Sequence, residues 1–250
     1  MLKEKKLALA LAKKAAAFQL KNFGKAVFRA KGVKDLVGEV DEKINALCTR
    51  EIRKLFPHDE IIAEESSSAG GNGHLWVIDP LDATVNYANR IPFFAFALAF
   101  LENREPKFSL VNAPLLKEFY YAEKEKGAFL NGKRLKCDQK LSPEKTLVGI
   151  PSLHNHLDYV PLFAKIAGNF IGTRNIGCSS LEFAGIASGR LGARVKPRAK
   201  LWDALPPCFI VEQAGGIATD FNGKRYSLYS KDVIASANVK IHERLLELVR

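Results

Sequence analysis

Two carboxylates stand three positions apart in Trp76-Val77-Ile78-Asp79-Pro80-Leu81-Asp82-Ala83-Thr84-Val85-Asn86-Tyr87. A short apolar run ends at Asp79, and a proline keeps the residue before it out of the helical region, so the run predicts a strand that stops at Asp79. Asp82, Ala83 and Thr84 then predict the opening of a helix, with Asp or Thr at its cap. The first N–H groups of a helix have no internal partner. A phosphate suits those N–H groups, and a divalent cation suits the carboxylates. One turn therefore offers both halves of a metal-assisted phosphate site. Asp-x-x-Asp alone also describes an ordinary capped helix after a buried strand, so other acids must decide between the two.

Two further acids follow apolar runs. Glu64 comes after Ile61-Ile62-Ala63, and Asp203 comes after Leu201-Trp202 and before a helical stretch. Acids in such places are costly unless paired, hydrogen-bonded or metal-bound. If these ends converge, Glu64, Asp79, Asp82 and Asp203 make a strongly negative, oxygen-rich pocket. Oxygen ligands without Cys or His favour Mg²⁺ or Mn²⁺ over zinc. Two such ions about 4 Å apart can clamp the attacking and leaving oxygens of a phosphoryl displacement. No Ser or Cys stands in a nucleophile motif, which favours direct attack by water.

The elements that must position these acids can be read from periodicity. Residues 5–23 predict a helix with Leu9, Ala12, Ala16, Leu20 and Phe23 on one stripe. Asp41 predicts the cap of a second helix, in which Ile44, Leu47, Cys48, Ile52 and Leu55 repeat at helical spacing. Ile61–Ala63 predicts a strand, and the small polar stretch 66–73 a loop. Runs at 94–101, 107–111, 118–122 and 127–130, the last followed by Asn131-Gly132, predict an antiparallel meander with a tight hairpin. From about residue 146, short runs alternate with helical stretches at 179–187 and 204–214, which predicts crossover connections. The expected organisation is an N-terminal α+β half over 1–145, carrying the antiparallel sheet and the acidic turn. A C-terminal α/β half over 146–250 packs against it as one compact unit. His154-x-His156 lies in a polar stretch and predicts a loop rather than a metal-binding strand.

Composition narrows the class. The chain of 250 residues is 47% apolar and 26% charged, as expected of a globular protein, and no apolar run reaches the length of a membrane span. The apolar stretch near the N-terminus is cut off by Lys13 and Lys14, too early for a secretory signal, so the expected location is cytoplasmic. Cys48, Cys137, Cys178 and Cys208 are scattered, which excludes zinc-ribbon and dithiol motifs. The net charge of +11 attracts anions, from small phosphates to RNA. The basic residues are spread along the chain, as on a solvated surface rather than a nucleic-acid groove.

Together these blocks resemble the inositol monophosphatase family. Asp79-Pro80-Leu81-Asp82-Ala83-Thr84 is preceded by Ile62-Ala63-Glu64-Glu65-Ser66 and followed by Trp202-Asp203 and Glu212-Gln213-Ala214-Gly215-Gly216. Asp35–Asp41 and Gly127–Lys133 also look like family blocks, in the same order. The resemblance implies an α/β (α+β) fold, a layered αβαβα sandwich of the inositol monophosphatase / fructose-1,6-bisphosphatase type. It also implies Mg²⁺-dependent, lithium-sensitive hydrolysis of small phosphorylated metabolites by metal-activated water, with two or three ions, and a homodimer.

By similarity, Glu64, Asp79 and the Leu81 carbonyl hold a first ion, and Asp79, Asp82 and Asp203 a second. Thr84, backed by Asp41 and acting with Glu64, positions the attacking water. The N–H groups of Ala83 and Thr84 hold the phosphate. Ser179 and Arg174 fall near positions that line the substrate pocket. Some bacterial members bind the RNA synthesis machinery, which leaves a contact with RNA polymerase or nucleic acid as an alternative role.

This chain departs from the family pattern in three places. Ala83 stands where the family has Gly, and is expected to adopt a helical conformation that tolerates a side chain. Pro206-Pro207 replaces small residues and is expected within a first helical turn. Lys196 stands where inositol-preferring members carry a Glu that binds sugar hydroxyls. A cation there favours a doubly anionic substrate, such as fructose 1,6-bisphosphate or 3′-phosphoadenosine 5′-phosphate, unless the loop is only solvated surface.

Overall fold

The computed structural model of the chain describes residues 2–32, 35–153 and 156–249. The N-terminal elements are α1 (Leu2–Asn22), β1 (Phe28–Gly32), β2 (Asp35–Gly38), α2 (Glu39–Leu55), β3 (Glu60–Ala63), β4 (Ser66–Ser68) and β5 (His74–Asp82). Next come α3 (Thr84–Ala88), β6 (Ala95–Glu102), β7 (Glu105–Ala113), β8 (Glu118–Glu123), β9 (Gly127–Leu130) and β10 (Lys133–Arg134). The remainder holds β11 (Leu147–Gly149), α4 (Val160–Asn169), β12 (Gly172–Arg174), α5 (Ser179–Ala187), β13 (Ala193–Lys196), α6 (Leu201–Gln213), β14 (Ile217–Thr219), β15 (Val233–Ser236) and α7 (Val239–Val249).

These elements stack in five layers. The eight-stranded sheet runs β10-β9-β8-β7-β6-β5-β3-β4, and the five-stranded sheet runs β12-β11-β13-β15-β14. Helices α1 and α2 cover one face of the large sheet. Helices α5 and α6 lie between the two sheets, where α6 touches β5–β8 on one side and β14–β15 on the other. Helices α4 and α7 pack together, against β12 and β15 respectively, as the outer layer. The expected αβαβα sandwich is therefore present. The meander is present too, and Asn131-Gly132 makes the β9–β10 turn with both residues at positive φ (49° and 81°), the backbone that suits a two-residue hairpin.

The layers follow from where the apolar residues fall. Strand β5 is buried along nearly its whole length, because α2 covers one face of it and α6 the other. Alternate residues therefore feed two cores: Leu75 and Val77 join the α5–α6 core, while Trp76 and Ile78 join the α1–α2 core. On α1 the buried stripe is Glu4, Leu7, Ala8, Leu11, Ala12, Ala15 and Gln19. The expected stripe was rotated from this, for Leu9 and Leu20 are 38% and 45% exposed. Small alanines let α1 lie close to the sheet, and long leucines at its flanks are left toward solvent. The four cysteines are free thiols, all buried. Among the described residues no helix is long and apolar enough to cross a membrane.

Several local expectations need correction. The stretch expected as a loop after Glu65 begins with β4, which pairs antiparallel with β3. Helix α2 starts two residues before Asp41, with Gly38 as its cap, because the Asp41 carboxylate bonds back to the Gly38 N–H at 3.1 Å from the third helical position. A Cβ on Gly38 would meet the Phe28 ring at 2.5 Å, so any larger residue at this cap must displace that ring. Strand β5 does not stop at Asp79 but runs to Asp82. Asp79 pairs with Ala97 and Asp82 with Ala95, so Pro80 and Leu81 together oppose Phe96 as a bulge. A bulge is a place in a sheet where proline's missing N–H does no harm. His154 and Asn155 lie outside the described residues, while His156 is buried.

Candidate active site

The bulge sets the acidic turn. It rotates the end of β5 so that both Asp79 and Asp82 are buried, at 1% and 7% exposure. Asp79 Oδ1 accepts the Leu81 N–H at 3.1 Å, closing a small loop around Pro80. From behind, the Gln19 amide of α1 donates to the Pro80 carbonyl at 3.0 Å. Tyr87, on α3, returns a hydroxyl to the Gln19 carbonyl at 2.5 Å. The turn is thus clamped to α1 on both sides.

The residue that follows overturns an expectation. Ala83 lies at φ 76°, ψ 47°, in the left-handed region, and serves as the N-cap of α3 without a side-chain bond. Here the chain turns from β5 into α3 at this single residue, and the turn is made with positive φ. An alanine there carries a Cβ penalty of about 1–2 kcal/mol that glycine avoids. Ala83 is held there between the two large cores, against both of which it packs.

Thr84 opens α3 and meets Asp41 from α2. Its Oγ1 lies 2.7 Å from Asp41 Oδ1 and 3.1 Å from the Leu81 carbonyl oxygen. A hydroxyl has one hydrogen, and the shorter, ionic acceptor takes it. Asp41 is 1% exposed. Burial pushes its carboxyl up to about 6, against the lowering pull of the Thr84 and Gly38 bonds.

The remaining two acids arrive from β3 and α6. Glu64 follows β3, and its N–H bonds the Ile78 carbonyl at 3.3 Å, which ties it beside β5. Asp203 sits at the third position of α6, inside the helix rather than ahead of it. Pro206 and Pro207 accordingly fall in the second turn, not the first, and offer no N–H to the Trp202 and Asp203 carbonyls four residues back. The acids feel one another. Asp79 is raised well above the usual carboxylate range by burial first, then by the charges of Glu64, Asp82, Asp203 and Asp41. Asp79 Oδ2 is buried without a hydrogen-bond partner.

Asp82 and Asp203 are each engaged elsewhere. Asp82 caps the N-terminus of α5, accepting from the Ser180 and Ser179 N–H groups, the latter at 3.3 Å, and from Cys178 Sγ at 3.2 Å. Burial and Asp203 raise its carboxyl, and the Ser180 N–H and Lys196 oppose that rise. Asp203 is ion-paired with Lys196 at the end of β13, and the same ammonium bonds Ser179 Oγ at 3.1 Å. Among the described residues no three metal-ligating side chains already converge on one ion-sized space. An orphaned buried oxygen on Asp79, crowded by the charges of four other carboxylates, fits a hard divalent cation such as Mg²⁺, and burial beside those carboxylates keeps the neighbouring Cys178 a thiol rather than a thiolate ligand.

The structure therefore brings together Asp41, Glu64, Asp79, Leu81, Asp82, Ala83, Thr84, Ser179, Lys196 and Asp203. Arg174 stands apart. It is exposed at the end of β12 and lines a cavity of about 260 Å³ with Phe93, Ile176 and Leu181. Glu182 was missed by sequence reading. It is 1% exposed, paired with buried Arg194, and accepts the Ile176 N–H at 2.6 Å, bracing the start of α5 behind Asp82. A charged residue within an otherwise apolar helix, Ser180-Leu181-Glu182-Phe183-Ala184, was the available signal.

Comparisons with known proteins bear on the family and the fold. Residues 3–250 match the sequence profile of the inositol monophosphatase family. A Thermotoga maritima protein named fructose-1,6-bisphosphatase/inositol-1-monophosphatase is 36% identical over 219 residues, 87% of this chain and 84% of its own length. The Nus factor SuhB of Pseudomonas aeruginosa is 33% identical over 230 residues, 88% of this chain and 84% of its own. A crystal structure described as an IMPase/NADP phosphatase complexed with Mg²⁺ and phosphate superposes with a TM-score of 0.88 at 25% identity, covering 99% of this chain and 95% of that one. With its layered sandwich, its acidic β5 bulge and a profile match along nearly its whole length, this chain belongs to the inositol monophosphatase family.

Proposed function

We propose that the chain is a Mg²⁺-dependent phosphomonoesterase that hydrolyses small phosphorylated metabolites at the β5–α3 turn, with an inositol monophosphate as the first candidate. The observation that carries this reading is the buried Asp79 carboxylate, crowded by Glu64, Asp82, Asp203 and Asp41, beside the Thr84–Asp41 pair. Glu64, Asp79 and the Leu81 carbonyl would hold one Mg²⁺, and Asp79, Asp82 and Asp203 another. The bound ions would neutralise the phosphoryl oxygens and the departing oxygen, and make water more acidic.

The chain's own groups do the positioning. Ionised Asp41 takes the Thr84 hydroxyl hydrogen, so Thr84 Oγ1 presents a lone pair that accepts a hydrogen from the attacking water. Glu64 is the second acceptor for that water, and its unused lone pair faces phosphorus. Water oxygen bonds to phosphorus as the ester P–O bond breaks, the proton it loses passes to Glu64, and the departing alkoxide takes a proton from solvent. The N–H groups of Ala83 and Thr84, at the start of α3, bind phosphate oxygens. On the family resemblance alone, the protein works as a cytoplasmic homodimer.

The experiment is phosphate release with Mg²⁺ from myo-inositol 1-phosphate, fructose 1,6-bisphosphate, 3′-phosphoadenosine 5′-phosphate, histidinol phosphate and glycerol 2-phosphate. Turnover of any of them supports the reading, and the order of kcat/KM assigns the substrate. A second reading draws on the relative named as a Nus factor and on the net charge of +11. Silence from every ester, with Mg²⁺ and with Mn²⁺, would favour that role in binding the RNA synthesis machinery.

A further inference from the structure

Strand β13 sends two cations toward the interior. Arg194 and Lys196 are two residues apart, so they share a face of the strand. Arg194 meets Glu182, and Lys196 meets Asp203. The second pair is no surface salt bridge: its side chains are only 12% and 19% exposed. The ammonium is fixed further by Ser179 Oγ at 3.1 Å. Ser179 in turn gives its N–H to Asp82 at 3.3 Å. A continuous chain of contacts thus runs Asp203–Lys196–Ser179–Asp82. It ties up the two carboxylates that, beside shared Asp79, would hold a second divalent ion. Asp79 keeps an oxygen without a hydrogen-bond partner.

We propose that Lys196 is a resident cation of the second ion position, which a divalent ion must displace from Asp203 before it binds there. The proposal rests on the assignment of Asp82 and Asp203 to that ion. It makes the Mg²⁺ affinity of the Asp82–Asp203 position depend on the charge of Lys196. It also explains how so many buried acids coexist in one fold. The ammonium supplies an internal counter-charge, and the α5 N-terminus supplies oriented N–H groups.

The test is calorimetric titration of the metal-free protein with Mg²⁺ alone, read as affinity and stoichiometry, together with melting in EDTA and in Mg²⁺. Lys196→Gln removes the competing charge, and a Mg²⁺ binding event should tighten about tenfold or more relative to wild type, the scale of one charge-assisted hydrogen bond. Lys196→Arg keeps the charge and should show no such gain. Lys200→Gln makes the same charge change at an exposed neighbour, and should shift affinity by less than about threefold, as a screened surface charge does. Lys196→Gln should also melt lower than wild type in EDTA, with Mg²⁺ closing the gap. Lys196→Met provides a second uncharged variant if the Gln form folds poorly. Equal Mg²⁺ affinity in wild type and Lys196→Gln would overturn the proposal while leaving the ion assignment intact, as would an equal gain in Lys200→Gln. No Mg²⁺ binding to any of these proteins would overturn the assignment and the proposal together.

Discussion

The Thr84 hydroxyl lies 2.7 Å from the Asp41 carboxylate, across 43 positions of sequence, and burial lifts that carboxyl to about 6. The direction of this hydrogen bond is therefore set by pH. Above about 6 Asp41 is ionised and can only accept, which leaves Thr84 Oγ1 free to accept from water. Below it, a protonated Asp41 donates to Thr84 and the lone pair is lost. Bound cations favour the ionised carboxylate, so the acid limb of kcat against pH in Mg²⁺ should fall at or below about 6, and Asp41→Asn should lower kcat by about a hundredfold above that limb, with the deficit shrinking below it. Steady-state phosphate release across pH 5–9 checks both.

The same group has the opposite effect on stability. A carboxyl raised from 3.8 to about 6 in the folded state binds its proton more tightly folded than unfolded. Stability is then fullest below the ordinary carboxylate range and declines as pH rises through about 6. The shift corresponds to about 3 kcal/mol at neutral pH. In EDTA, urea denaturation should show Asp41→Asn to be more stable than wild type at pH 8, and no more stable than wild type at pH 4.

Ala83 is the second strained place. Its φ of 76° puts a Cβ where glycine would sit without penalty. Ala83→Gly should stabilise the protein by about 1 kcal/mol, the Cβ relief less the entropy that glycine adds to the unfolded chain. Chemical denaturation measures this directly, and a loss of stability would contradict the left-handed assignment.

The pair behind Asp82 is a third test. Arg194 and Glu182 are 3% and 1% exposed. Arg194→Met should destabilise the fold by about 3–5 kcal/mol, because it leaves the Glu182 charge buried and uncompensated. The double variant Arg194→Met/Glu182→Met should recover much of that loss, which a double-mutant cycle resolves.

Much of this was written in local sequence, and the exceptions share a cause. Period-two runs and Asn131-Gly132 marked the meander, and the acids after apolar runs marked the site. What failed depended on a partner far along the chain. Pro80 looked like a strand end, but a proline in a bulge is harmless once β6 supplies the opposing Phe96. Ala83 looked like a helical residue because an alanine does not announce the left-handed backbone it adopts between β5 and α3. Asp41 looked by spacing like a cap and sits instead at the third helical position; its link to Thr84 came from the family resemblance, and the structure shows that contact. Lys196 looked like substrate-facing or solvated charge. Its pairing with Asp203 appears only when β13 and α6 come together.

The most direct test of the central claim is phosphate release from myo-inositol 1-phosphate as Mg²⁺ is titrated, in wild type and in Asp79→Asn. The account predicts no turnover in EDTA, a saturable rise with Mg²⁺ in wild type, and a loss of at least about a hundredfold in the variant, as when charge stabilisation is removed from a transition state. Turnover that ignores EDTA, or that survives in Asp79→Asn, would contradict it.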